Sequence, residues 1–128
     1  MARRPGVTLV ELLVVLVLVG VLASVAILRY QRVSDRGLYA TLESDLRTLS
    51  IHQELYHAQH DTYAPAVALV DFTPSAPGSV VTVTSADRAG WAAYATHAGL
   101  AGHRCSIFMG TAPAEAPATR AGVIACDR

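Results

Sequence analysis

From Leu9 to Leu28 the chain is apolar almost without interruption, and Glu11 is its only charged residue. As a helix rising 1.5 Å per residue, twenty such residues cross about 30 Å, the thickness of a bilayer's hydrocarbon layer. A helix that is apolar on every face is one that must be buried all round. A carboxylate deep in hydrocarbon costs about 2.5–3.5 kcal/mol on insertion scales. The segment therefore asks for a nonpolar environment around its whole circumference and for a cationic partner for Glu11.

The flanks narrow the choice. Arg3 and Arg4 precede Pro5-Gly6, and Val7-Thr8-Leu9-Val10-Glu11 leads into the apolar run. Read from the residues alone, three outcomes are open: a secretory signal cut after Ser24-Val25-Ala26, a plain membrane anchor, or a processed assembly segment. A length beyond an ordinary signal core and an internal carboxylate both count against the first.

Gly6 followed by Val7-Thr8-Leu9-Val10-Glu11 and the apolar run resembles the class III signal of type IV pilins and pseudopilins. The resemblance implies cleavage by a prepilin peptidase between Gly6 and Val7, N-methylation of Val7, and a mature chain whose fifth residue is Glu11. In that family this glutamate pairs with the N-terminal amine of a neighbouring subunit, which supplies the missing cation. Val7 stands where the family usually has Phe. The family often has Pro where this chain has Leu28, and its helix can melt between there and the position of Gly20. Gly20 is kept and the Pro is absent, so melting is less strongly encoded, and Gly20 serves equally for close helix packing.

Beyond Arg29–Arg36, a polar exit from the membrane, Leu38, Leu42, Leu46, Leu49, Gln53 and Tyr56 recur at helical steps. They form one stripe of an amphipathic helix, with Glu43, Asp45, Arg47 and Glu54 largely off it. One long helix is expected over about residues 8–58. Asp61 to Gly78, with Pro65, Pro74 and Pro77, reads as a connector. Strands are expected over residues 79–84, 91–96, 104–109 and 122–126, separated by turn residues. A helix followed by a run of strands gives an α+β fold, a long N-terminal helix packed on a small antiparallel sheet of about four strands. The segments are 1–6 (leader), 7–28 (membrane and filament core), 29–60 (amphipathic half) and 61–128 (β head).

Two cysteines, Cys105 and Cys126, in a small exported chain read as a disulfide. Two free thiols would need a cytosolic chain. The stretch through Gly90-Trp91, Ala95-Thr96-His97, Cys105 to Gly110 and the terminal Cys126 also resembles short bacterial pilins, in which such a disulfide encloses an exposed loop. Here that loop holds residues 111–121.

Charge excludes other classes. All ten basic residues are Arg. Without Arg3 and Arg4, eight face ten acidic residues, a balance of −2. That is no electrostatic footprint for nucleic acid. No Gly-rich phosphate loop occurs. His52, His57 and His60 gather at the end of the helix, but as a solvated helix terminus rather than a metal site. No catalytic set, cofactor or metal is expected, so the chain reads as a non-enzyme.

The resemblance implies a homo-oligomeric helical filament, with prepilin peptidase, an inner-membrane assembly platform and the membrane itself as partners. The precursor would reside in the bacterial inner membrane and the assembled subunit at the cell surface. The same features admit a minor pilin or a type II secretion pseudopilin. A membrane-anchored extracytoplasmic binding module is the alternative of another class.

Overall fold

A computed structural model describes residues 6–128, so the basic pair Arg3 and Arg4 lies outside the described residues. Helix α1 runs Leu9–His60, and a single 3₁₀ turn follows at Val67–Leu69. Four strands complete the chain: β1 (Ser79–Ala86), β2 (Gly90–His97), β3 (Arg104–Gly110) and β4 (Ala125–Cys126). Their order is β1-β2-β3-β4, and every pair is antiparallel. This is the α+β arrangement expected from the sequence, with a meander sheet on a long helix.

The molecule divides into two compact units, one ending at Ser34 and the other Asp35–Arg128. In the first, the described side chains from Val7 to Ile27 are all exposed.

The second unit has its own core. Tyr39, Leu42, Leu46 and Leu49 of α1 pack with Val81, Trp91, Ala93, Ala95, Cys105 and Ile107 of the sheet. Side chains alternate across a strand, so Trp91, Ala93 and Ala95 face this core while Ala92 faces the other side. Alanine is a poor strand former. Its small side chain lets layers approach β2 closely on both faces.

Two polar side chains and one backbone bend fix the connector and the helix end. Gln53 is fully buried; its amide donates to the Ala64 carbonyl (2.9 Å) and accepts from the Ala64 N–H (2.8 Å). Paired in this way, one side chain satisfies the backbone where the chain reverses after α1. Asp45 is buried rather than off the stripe, because its carboxylate accepts the Ser75 N–H at 2.9 Å and holds the connector against the helix. Asp61 ends α1 in the left-handed region (φ 57°), where Asp is tolerated better than most residues, and its N–H bonds to the His57 carbonyl.

The last strand is shorter than expected. Gly122 adopts φ 76° and its N–H bonds to the Phe108 carbonyl, while Val123 closes a turn onto Arg120. Only Ala125 and Cys126 then reach ladder register, opposite Ser106 and Cys105. The glycine that reads as the start of a strand is the bend that delivers it.

The loop after β3 forms a second layer. Ala112 and Ala118 bury against Ala92 and Phe108 on the outer sheet face. Ser106 is fully buried; its hydroxyl donates to the Glu115 carbonyl (2.7 Å) and accepts the Ala118 N–H (3.0 Å). At the β1 bulge between Val83 and Ser85, Thr84 donates to Glu115 Oε2 (2.7 Å).

Candidate assembly segment

Gly6, Val7 and Thr8 precede the helix and are exposed. Thr8 Oγ1 accepts the Glu11 N–H at 3.2 Å, and the Thr8 carbonyl accepts the Leu12 N–H at 3.2 Å. Thr8 is thus the N-cap of α1, and Thr8-x-x-Glu11 is the spacing of a capping box. Glu11 lies in the first turn, where a carboxylate faces the positive end of the helix dipole and gains about 0.3–1 kcal/mol. The carboxylate therefore has a structural role at the helix start as well as an expected role in assembly. The Thr-x-x-Glu spacing is a helix-start signal inside the Gly6-to-Glu11 stretch that carries the resemblance.

The site sits on a helix suited to hydrocarbon. Within Leu9–His60 lies a stretch long and apolar enough to cross a membrane. Its hydroxyl at Ser24 donates to the Val21 carbonyl at 2.7 Å, so that polar group is satisfied within the helix itself. The helix includes Gly20, and among the described residues nothing beyond the helix's own backbone lies within 4 Å of where a side chain would start there.

Cys105 and Cys126 are joined by a disulfide across the β3–β4 pair, with Cα atoms 4.0 Å apart. The residues beyond it are held as well. Asp127 pairs with Arg104 through both backbone and carboxylate, and its carbonyl accepts from the Tyr39 hydroxyl and His103 Nδ1, both at 2.9 Å. Arg128 reaches Glu43 of α1 at 2.7 Å. Burial pushes the Tyr39 hydroxyl above its usual range, helped by the negative charges of Asp127 and Asp35 and opposed by Arg128. Tyr63 is raised too, first by burial and then by its hydrogen bond to Glu54.

The histidines at the helix end do not converge. His57 Nε2 lies 3.0 Å from the Arg88 carbonyl, His60 stacks on Tyr56, and His52 meets the edge of Phe72. Among the described residues no three His, Cys, Asp or Glu side chains are grouped to hold a metal ion.

A capped helix with a first-turn carboxylate, an apolar segment and a disulfide-closed α+β head stand together in this chain, and comparison with known proteins adds two likenesses. The family described as the prokaryotic N-terminal methylation motif matches residues 1–27. The type IV major pilin protein PilA of Myxococcus xanthus (strain DK1622) is 28% identical over 72 residues, which is 56% of this chain and 33% of that protein. The aligned part thus spans about a third of the length of the curated relative. The chain is similar to type IV pilins, through the methylation motif at its N-terminal segment and a partial match to one major pilin.

Proposed function

We propose that this chain is a structural subunit of a type IV pilus-like filament and has no catalytic role. Residues 1–6 are a leader that prepilin peptidase removes between Gly6 and Val7, and Val7 becomes the N-methylated N-terminus. Residues 7–28 hold the precursor in the inner membrane and then form the filament core. An inner-membrane platform extracts the subunit, and Glu11 aligns it by pairing with the N-terminal amine of a neighbour. The observation that carries this reading is an apolar helical stretch exposed from Leu9 to Ile27, whose one carboxylate stands in the first turn, within the match to the methylation motif.

Magnitudes support the pairing. Two unit charges about 4 Å apart attract by about 4 kcal/mol at an effective dielectric constant near 20. That is comparable with the ~2.5–3.5 kcal/mol insertion cost of the carboxylate. Each arriving subunit would bring one amine and one carboxylate, so the arrangement repeats along the filament. The disulfide and the Ala/Pro-rich loop it encloses favour a major pilin over a secretion pseudopilin of the major class. A minor pilin would share the processing and differ in abundance.

The test is Glu11→Gln, which keeps size and polarity and removes the charge. The expected outcome is normal membrane levels, normal leader removal and a loss of sheared surface filaments of tenfold or more. Wild-type filament yield from Glu11→Gln would refute the assembly role. A chain that remains a monomeric anchor with its leader attached would instead favour a tethered binding module.

A further inference from the structure

His97 differs from the other hydrogen-bonded histidines in the sign of its contacts. His97 Nε2 lies 3.1 Å from the Pro77 carbonyl, while Nδ1 accepts the Gly99 N–H at 2.9 Å. A carbonyl oxygen only accepts and an amide N–H only donates, so these two contacts define one protonation state: neutral, with the proton on Nε2. His57, His60 and His103 instead direct a ring nitrogen at a carbonyl oxygen, a contact that a protonated ring makes equally well.

The ring joins three pieces of backbone. Pro77 ends the connector, His97 ends β2 opposite Ser79, and Gly99 lies in the turn that leads to β3. That turn carries Leu100 into the core and brings Gly99 against Leu38 of α1. The adjacent groove, about 410 Å³, is lined by Tyr94, Thr96, His103 and Arg104 among others. The connector and β1 present Pro77, Gly78 and Ser79, and α1 presents Leu38. Among the described residues no carboxylate lines this groove itself; its Arg104 is paired with Glu115 at 3.4 Å, and its His103 lies 3.7 Å from the Asp127 carboxylate, so the charged groups beside the ring already have partners of their own.

We propose that His97 is a pH-sensitive clasp: the neutral ring ties the connector to the β2–β3 turn, and protonation at Nδ1 releases the turn. A proton there sets one N–H against another, and the Gly99 bond is lost. Because the clasped form is the unprotonated one, the contact is present at higher pH and disappears as the pH falls through the ring's titration. This is the reverse of a histidine that gains a carboxylate partner. Histidine is the side chain whose charge ordinarily changes between about pH 5 and 8, which is what makes a ring in this position a candidate switch. The Pro77 contact survives protonation, which confines the change to the turn from Ala98 to Gly102 and the groove beside it.

The test uses the full-length protein in detergent micelles, with ¹⁵N labelling. Ring nitrogen shifts report the tautomer, and amide exchange, corrected for its intrinsic pH dependence, reports the Gly99 bond. The expected result is an Nε2–H ring at neutral pH and a Gly99 protection that falls about fivefold as His97 titrates, the equivalent of one neutral hydrogen bond. The step should vanish in His97→Gln and persist in His103→Gln. Three results would overturn the proposal: a proton on Nδ1 at neutral pH, a His97 titration that leaves Gly99 protection unchanged, or a Gly99 step that survives in His97→Gln. The first two are read on the unsubstituted protein, so they stand even if a variant fails to fold.

Discussion

From Val7 to Ile27 the chain presents Leu and Val to its surroundings on every face, whereas Leu42, Leu46 and Leu49 of the second unit are fully buried against the sheet. Both regions obey the same preference of apolar surface for a nonaqueous environment. In the second unit that preference is met by the chain's own strands. In the first it is left to a bilayer or to other copies of the segment. The difference lies in what each helical half is given to pack against. The first has no polar face to direct it, and the second has Gln53 and Asp45 buried among its leucines to fix which strands and which connector it meets.

If this contrast is real, equivalent truncations in the two regions have unequal effects. Leu46→Ala, at a fully buried site, is expected to destabilise the head by about 2–5 kcal/mol, as chemical denaturation of the detergent-solubilised protein would show. Leu16→Ala, at an exposed site, should change head stability by less than about 0.5 kcal/mol and show its effect only in filament yield. Equal effects on head unfolding would erase the distinction between the halves.

Removing the disulfide comes next. Cys105→Ser with Cys126→Ser frees a loop of sequence separation 21 and should cost about 3 kcal/mol on the chain-entropy model. The Asp127–Arg104, Arg128–Glu43 and Tyr39 contacts should still hold the tail near β3, so amide protection at Asp127 should weaken without vanishing.

A smaller loss is expected at Gln53→Leu, which keeps an apolar side chain on the stripe and leaves both Ala64 backbone groups buried without partners. Unsatisfied groups of this kind cost about 1–3 kcal/mol. A neutral result from thermal unfolding would show that Gln53 is only a filler.

The smallest effect is alkaline. Tyr39 and Tyr63 hold their protons more tightly folded than unfolded. Their contribution is fully present below the ordinary tyrosine value near 10 and is lost as the pH rises through the folded one. Head stability should therefore decline above about pH 10. Tyr39→Phe should flatten that decline while costing a hydrogen bond to the Asp127 carbonyl at neutral pH.

The parts of this architecture that depend on periodicity could be read in advance. The leucine stripe from Leu38 to Leu49, the β-branched run of β1 and the Trp91-to-Thr96 strand all announce their burial pattern through spacing. What could not be read depended on partners distant in sequence. Asp45 looks like a solvated charge until Ser75, thirty residues away, presents its N–H. Ser106 looks like any strand serine until the Ala/Pro-rich loop folds back over it. Gly122 reads as the start of a strand because nothing local reveals its positive φ. At the assembly segment the motif was plain, but the cap that Thr8 places on Glu11 required attention to a three-residue spacing.

The most direct test of the central claim is the intact mass and N-terminal sequence of the protein recovered from its native membrane and from sheared surface material. The account predicts a chain that begins at N-methylated Val7 in both fractions, with Glu11 retained. A chain that keeps Gly6 and its leader, or one that starts after Ala26 and so lacks Glu11, would contradict it.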